Sequence, residues 1–353
     1  MTRKPTIKDV ASLAGVGPMT VSRLLNQSAS VSEDAAARIY RAIEELGYKP
    51  NEMARALRGQ KSNTIGILVP YLYDPFFAMC AHAISTVARE NGYSVILTTS
   101  NEDSELEYAE AQSMLRRHVD GLIVIPTRHG RTRLTIPEFQ STHIVSLDRP
   151  LPDQRFSSVV VENYAGAARA VSHLISAHGH SWIAAAALDN QRYTFRMRIE
   201  GYNHAMRQAG LELLPVIPCL TPELTAINVR HAMCGPMPPT AIFTCNGLTT
   251  RYVLKALREL DIRVPQDLAL VAFDDFELAE LFEPQLSVIR QPAMEMGRIA
   301  ANLLFERMVD GQPGDQGTRL VLPVEWIPRS SCGCHPPLVE KYAPPALREP
   351  VAV

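Results

Sequence analysis

Apolar residues near the start of the chain recur at helical steps. Ile7, Val10, Ala11 and Ala14 lie three or four apart and predict an amphipathic helix of about nine residues. Thr6 stands before it as an N-cap, with Asp9 three residues on to complete a capping box, and Gly15 ends it. Only Val16 and Gly17 precede Pro18, whose missing N–H suits the first turn of a second helix. There Val21, Leu24 and Leu25 form the inner face, while Pro18, Met19, Ser22 and Arg23 point outward. Ser32 caps a third helix with Ala36, Ile39, Tyr40, Ile43 and Leu46 turned inward, ending at Gly47. The first two helices alone fit a generic three-helix bundle. The tight Gly-containing turn between them, with the third as a brace, reads as a helix-turn-helix head.

Next comes "NEMARALRGQKSN", where Asn51 caps a short helix that Gly59 ends, with Met53, Ala54 and Leu57 on one side. Two turns are too few to be stable alone. The segment is either a plain tether or a helix that forms only on DNA, with Leu57 as a minor-groove wedge.

From Thr64 the pattern changes to short apolar runs alternating with helical stretches. "IGILV", "SVILTT", "GLIVI" and "HIVSL" read as buried parallel strands, with "FFAMCAHAISTVAREN" and "ELEYAEAQSMLRRH" as helices. A second series begins at "SSVVV" and continues through "WIAAAAL", "AIFT" and "LALVAF", with helices between. Two sets of βα units predict two doubly wound parallel sheets, with a ligand cleft between them beyond the carboxyl ends of the strands. Polar residues at those ends are the binding candidates: Asp148, Asn246, Asp274 with Asp275, and Arg196 and Arg198 opening a helix. Carboxylates, an amide and guanidinium groups together suit a ligand with several hydroxyls. Phe76, Phe77 and Phe243 are either apolar walls for it or plain core.

The 353 residues are 46% hydrophobic and 20% charged, an ordinary globular balance, and no apolar run approaches bilayer length, so no membrane partner is expected. Without a secretory h-region or a disulfide pattern, a cytoplasmic protein is the natural reading. The net charge of −2 conceals a +4 head over residues 1 to 61 and a −6 remainder, so the head is the part suited to a polyanion. In the DNA-reading geometry of this motif, the second helix presents its N-terminus to base edges. Arg23 then suits a guanine edge, and Thr20, Ser22 and Asn26 suit phosphate.

Phosphate-binding, dinucleotide, nucleophile-elbow and zincin motifs are all missing, which argues against an enzyme. No cofactor is expected. Cys332 and Cys334 in "SSCGC" fit no strong zinc spacing, and His178 and His180 in "HGHSW" read as helix-end residues, so no metal is assigned.

"TIKDVASLAGVGPMTVSRLLN", "VSEDAAARIYRAIEELGYKPNEMARALR" and "TIGILVPYLYDPFFAMCAHAI" resemble the opening of a LacI/GalR-family transcriptional regulator. "RRHVDGLIVIP", "FRMRIEGYNHAMRQAGL", "AIFTCNG", "IRVPQDLALVAFDD" and "LSVIRQPAMEMGRIAANLL" continue the similarity over roughly residues 6 to 330. The resemblance implies a repressor of a carbohydrate-utilisation operon, acting as a homodimer on double-stranded operator DNA. Its effector would be a sugar, sugar acid or sugar phosphate. It implies that Pro18 and Met19 are the variable base readers and Leu57 the hinge wedge. The DNA-facing set is then Thr6, Pro18, Met19, Thr20, Ser22, Arg23, Asn26, Arg55 and Leu57.

For the effector the set is Phe76, Asp148, Arg196, Arg198, Phe243, Asn246 and Asp274, with Arg198 and Asp274 on the family's most constant positions. The implied core is periplasmic-binding-protein-like, with three crossings between lobes. Its domains are a head over 1–50 and a hinge and linker over 51–63. One lobe spans 64–161 plus 291–321, the other 162–290 plus 322–332, and 333–353 is a disordered proline-rich tail without heptads. Two departures stand out: Gly17 replaces the usual Ser or Thr, and Gly247 stands where an Asp usually follows Asn246.

Overall fold

A capping pair opens the first helix. The Asp9 carboxylate accepts from the Thr6 N–H at 2.7 Å and from its hydroxyl at 2.6 Å, ahead of α1 (Ile7–Ala14). Gly15 stops α1 at φ +64°, which only a residue without a Cβ adopts at little cost. The Gly17 carbonyl then accepts from Thr20 and Val21 as Pro18 begins α2 (Pro18–Leu25). Val10, Ala11, Ala14 and Val21 bury themselves against Ile39 and Ala42 of α3 (Glu33–Leu46), with Leu24, Leu25, Ile43 and Leu46 around them. Tyr40 departs from expectation: it is 59% exposed, because Ala35, Ile39 and Ala42 set the inner face and turn its ring outward. The computed structural model describes residues 5–25, 30–48, 61–127, 132–134, 139, 142–188, 191–309 and 316–334. The region 1–62 and the region 63–353 are separate compact units.

In the second unit two six-stranded sheets repeat one topology. The first has the order β11-β5-β4-β3-β1-β2, the second β12-β10-β9-β8-β6-β7. The first sheet comprises β1 (Thr64–Val69), β2 (Ser94–Thr99), β3 (Gly121–Val124), β4 (His143–Leu147), β5 (Ser157–Val161) and β11 (Arg319–Leu322), all parallel. "SSVVV" is therefore the fifth strand of the first sheet rather than the start of the second series. The second sheet comprises β6 (Ile183–Ala187), β7 (Ile217–Pro218), β8 (Ala241–Thr244), β9 (Ala269–Phe273), β10 (Ser287–Arg290) and β12 (Glu325–Ile327), and only β12 is antiparallel.

Central strands such as β9 are buried at every residue because helices cover both faces, which is why they read as unbroken apolar runs. The helices are α4 (Pro75–Glu90), α5 (Ser104–Arg116), α6 (Asn163–His178), α7 (Tyr193–Gln208), α8 (Pro222–Met233), α9 (Gly247–Glu259) and α10 (Ala293–Val309). The chain passes between the sheets after β5, β10 and β11. No helix among the described residues is long and apolar enough to cross a membrane.

Two glycines let helices touch backbone to backbone. A Cβ on Gly201 of α7 would lie 2.3 Å from the Tyr164 carbonyl oxygen of α6, and one on Gly297 of α10 would lie 2.4 Å from the Cys80 carbonyl oxygen of α4. The substitution Gly201→Ala forces α7, which carries Arg198, away from α6. The expected result is a loss of about 1–3 kcal/mol in urea unfolding. An unchanged midpoint would contradict the close packing.

Candidate functional site

The two lobes face each other across a narrow cleft with a free volume of only about 40 Å³, so its walls stand close together. Its lining comes from segments that follow strands. Tyr71, Tyr73, Asp74 and Phe76 follow β1, Glu102 follows β2, and Asp148 and Arg149 follow β4. From the other lobe, Arg192, Thr194 and Arg198 follow β6, Asn246 follows β8, Asp274 follows β9 and Gln291 follows β10. A wider groove on the second lobe is open to solvent, and its Lys255, Arg258 and Arg263 are exposed, so it lacks the buried converging charges of the cleft.

Asp148 and Asp274 occupy equivalent places. Each follows the third strand from the edge in its sheet, each has positive φ (+64° and +81°), and each donates its N–H to the next strand. Asp148 donates to the Val159 carbonyl at 2.9 Å and Asp274 to the Ile289 carbonyl at 3.0 Å. A left-handed backbone here costs energy for a residue with a Cβ, and aspartate tolerates it better than most. The turn aims one carboxylate from each lobe at the cleft.

Arg198 is 2% exposed and anchored within its own lobe through Nε and Nη1. Its Nε donates to Asn163 Oδ1 at 2.7 Å and its Nη1 to the Cys245 carbonyl at 2.7 Å, and the guanidinium lies 3.6 Å over the Phe273 ring. Asp274 Oδ1 stands 3.9 Å from Nη1. Burial pushes the Arg198 pKa down, and the carboxylates of Asp274 and Asp148 oppose that. Asp274 itself accepts from the Gly247 N–H at 3.1 Å and from Gln291 Nε2 at 2.5 Å. Gly247 thus contributes a bare N–H, with room for a side chain whose Cβ would sit 3.8 Å from that of Asp274. An aspartate there would add a like charge beside Asp274. Asn246 spends its Oδ1 capping α9 through the Thr249 N–H at 2.9 Å. The Gln291 Oε1 is buried with no hydrogen-bond partner among the described residues.

A buried ion cluster crosses the cleft. Glu102 accepts from both Arg149 Nη atoms, at 3.0 and 2.9 Å, and Arg192 of the opposite lobe approaches it at 3.3 Å. Arg149 also donates from Nε to Asp148 at 3.2 Å. Burial raises the Asp148 pKa, while Arg149 and Arg198 pull it down.

Phe76, Asp148, Arg198, Asn246 and Asp274 thus come together at the cleft, and two expected members do not. Arg196 is on the outer face of α7, half exposed and 3.9 Å from Glu200. Phe243 is fully buried within β8. Asp275 turns away too. Burial raises its pKa, but hydrogen bonds from Arg329 and Arg290 prevail and hold it below the usual range. The cluster members Glu102, Arg149 and Arg192, and Gln291 beside them, were missed.

On the head, Pro18, Met19 and Arg23 are exposed, Met19 by 68%, while Thr20, Ser22 and Thr6 are half-buried. The Thr6 hydroxyl already donates to Asp9. Asn26, Arg55 and Leu57 lie outside the described residues, as do the hinge segment 51–60 and the tail from 335.

Asp74 caps α4 by accepting from the Phe76 N–H at 3.0 Å. Burial, then the nearby Asp274 carboxylate, pushes its pKa up to about 6 from 3.8, against the pull of Arg251. Between those values the folded protein keeps a proton that the unfolded chain has released, so stability falls as pH rises through this window. Asp74→Asn preserves the cap and removes the penalty. It should add about 1–3 kcal/mol near pH 7 and nothing below about pH 4, as thermal unfolding across pH will show. An equal gain at both ends would sink this reading.

Residues 6–51 match the model for bacterial regulatory proteins of the lacI family, and residues 171–332 that for a periplasmic binding protein-like domain. The chain is 32% identical to the ribose operon repressor of Escherichia coli (strain K12) over 92% of its own length and 99% of the relative's. It is 30% identical to the HTH-type transcriptional repressor PurR of Haemophilus influenzae (strain PittEE), over 92% and 98%. A solved transcriptional regulator CelR–cellobiose complex, 30% identical, superposes with a TM-score of 0.67 over 93% of this chain and 99% of that one.

Proposed function

The chain belongs to the LacI family of bacterial regulatory proteins and is a DNA-binding transcriptional repressor, and on that premise we propose that it controls a carbohydrate-utilisation operon by sensing a neutral, polyhydroxylated sugar. One observation carries the sugar reading: Asp148 and Asp274, one from each lobe, converge on a single cleft with Arg198 between them. Carboxylates accept from hydroxyls, Arg198 and Asn246 donate to them, and the unpartnered Gln291 Oε1 takes one more. Phe76 and the stacked Tyr71 and Tyr73, ring centroids 4.9 Å apart, offer apolar faces for a sugar ring.

Charge favours the neutral sugar over its acid or phosphate. The lining holds four carboxylates (Asp74, Glu102, Asp148 and Asp274) against the guanidinium groups of Arg149, Arg192 and Arg198. Each of those guanidinium groups already has an anionic or carbonyl partner in the protein. Arg196, which would have paired with Arg198 to hold an anion, faces solvent. The names of two relatives, a ribose operon repressor and a regulator in complex with cellobiose, agree with a sugar.

DNA recognition falls to α2. Its exposed N-terminus presents Pro18 and Met19 for apolar contacts and Arg23 for a guanine edge. Thr6, Thr20, Ser22 and Asn26 anchor phosphates, and Arg55 and Leu57 enter the minor groove. The working unit is a cytoplasmic homodimer. Leu220, and Leu224 and Ile227 three apart on α8, are exposed by 61%, 44% and 62%, an apolar surface suited to a second copy. Sugar binding changes the angle between lobes, and a coupling of about 1–3 kcal/mol is enough to alter operator affinity.

The test is anisotropy on a labelled duplex selected from a random pool, with and without neutral sugars. Asp274→Asn should leave operator affinity within about threefold and weaken the sugar response at least tenfold. Loss of both together would remove Asp274 from the sugar site. Arg23→Ala should reduce discrimination between the selected duplex and its base-substituted variants by about 1–3 kcal/mol. Equal losses on selected and random DNA would take base reading away from Arg23.

A further inference from the structure

At the far side of the second lobe, four metal-ligating side chains from two distant stretches of sequence meet. His173 and His178 lie on the last turns of α6, and Cys332 and Cys334 lie in and just after the single turn of 3-10 helix at Ser330–Cys332. Their ligand atoms all fall within 4.8 Å of one another. His173 Nε2 is 3.3 Å from Cys334 Sγ and 3.8 Å from Cys332 Sγ, and His178 Nε2 is 3.4 Å from Cys334 Sγ. Tetrahedral zinc, with bonds near 2.3 Å to sulfur and 2.0–2.1 Å to nitrogen, separates its sulfur and nitrogen ligands by about 3.6 Å. The observed spacings bracket that value. From this geometry we infer that His173, His178, Cys332 and Cys334 form a structural zinc site that fastens the end of the core to α6.

Several features set this cluster apart from a chance grouping. Gly333 has φ +100°, and a Cβ there would lie 3.2 Å from His178 Nδ1, so glycine both bends the two cysteines toward one point and leaves space for the ring. Cys332 is fully buried and held in place, its N–H donating to Ser287 Oγ at 3.2 Å. His173 packs against Trp326 of β12, centroids 5.1 Å apart, which fixes its ring. Two thiolates cancel the charge of a divalent ion, so the complex is neutral, as a partly buried site beside Trp326 and Ile175 requires. An S₂N₂ set with near-tetrahedral spacing suits zinc. The spacing explains why the sequence conceals it: Cys332 and Cys334 are one residue closer than the usual zinc pair, and the histidines lie over 150 residues away.

Binding displaces one proton from each cysteine thiol and leaves the imidazoles neutral, with no change in oxidation state. The Cys332 thiol, now 3.3 Å from the Arg329 carbonyl, would turn to the metal. The ion would tie the segment after β12 to the helix that opens the second lobe, and the added stability resides in that lobe rather than in the effector cleft.

The experiment uses the full chain, purified with its thiols reduced, stripped with chelator and titrated with Co(II) and then Zn(II). The account expects one equivalent of Co(II) with thiolate charge-transfer and tetrahedral d–d bands, displaced by Zn(II), and a higher melting temperature on loading. Cys334→Ser and His178→Gln, both at the rim, should each weaken binding by at least about tenfold while keeping operator binding. Absence of the thiolate band in the reduced protein would overturn the site, as would a Cys332–Cys334 disulfide that forms in preference to metal loading. Unchanged affinity in both variants would overturn it equally, because the metal would then sit elsewhere.

Discussion

Glu102 holds the two lobes of the core in one relation. Its carboxylate is 7% exposed and meets Arg149 of its own lobe and Arg192 of the other. Each lobe has its own sheet and helices, and three chain crossings alone would leave the angle between them soft. A buried carboxylate with guanidinium groups on both sides favours that angle, because opening gives up the contact between Glu102 and Arg192. Such a pair adds little net stability and much specificity of arrangement. On the proposed sugar reading, a ligand that supplies hydroxyls to the same groups would shift the balance between closed and open without touching either sheet.

The cleft gains its chemistry from where the strands end. Parallel strands buried on both faces admit almost no polar side chain along their length. The functional groups therefore gather in the turns beyond β1, β2, β4, β6, β8, β9 and β10. Repetition of one topology places Asp148 and Asp274 opposite each other, each on a positive-φ turn and each tied by its N–H to the next strand. Burial, and after it the neighbouring Asp274 carboxylate, raises the pKa of Asp74, a cost of holding carboxylates in this cleft. Hydroxyl donors would relieve it.

Much of this was legible in the chain, and the failures have physical reasons. Helical spacing and caps located α1, α2 and α3, and apolar runs located eight of the longer strands, because those patterns arise from local geometry and two-sided burial. Short or peripheral pieces such as β7 and β12 carry no such pattern. Arg196 and Arg198 were expected together, yet residues two apart on a helix point about 200° from each other, so only one can face the cleft. Phe243 sits on a strand covered on both faces, so neither side of β8 offers a wall. Glu102, Arg149 and Arg192 lie in the connections that follow β2, β4 and β6, where only the assembled lobes reveal that they meet. The family resemblance located Arg198 and Asp274, which periodicity alone placed no higher than their neighbours.

The central claim is that the cleft, with its guanidinium groups already paired, takes an uncharged polyol. Calorimetric titration of the full protein with a neutral aldose that binds, then with its aldonic acid and its phosphate ester, tests that directly. The account predicts that either ionised form binds at least about tenfold more weakly, the discrimination expected from bringing an unpaired charge beside buried carboxylates. Tighter binding of the acid or the phosphate would contradict it.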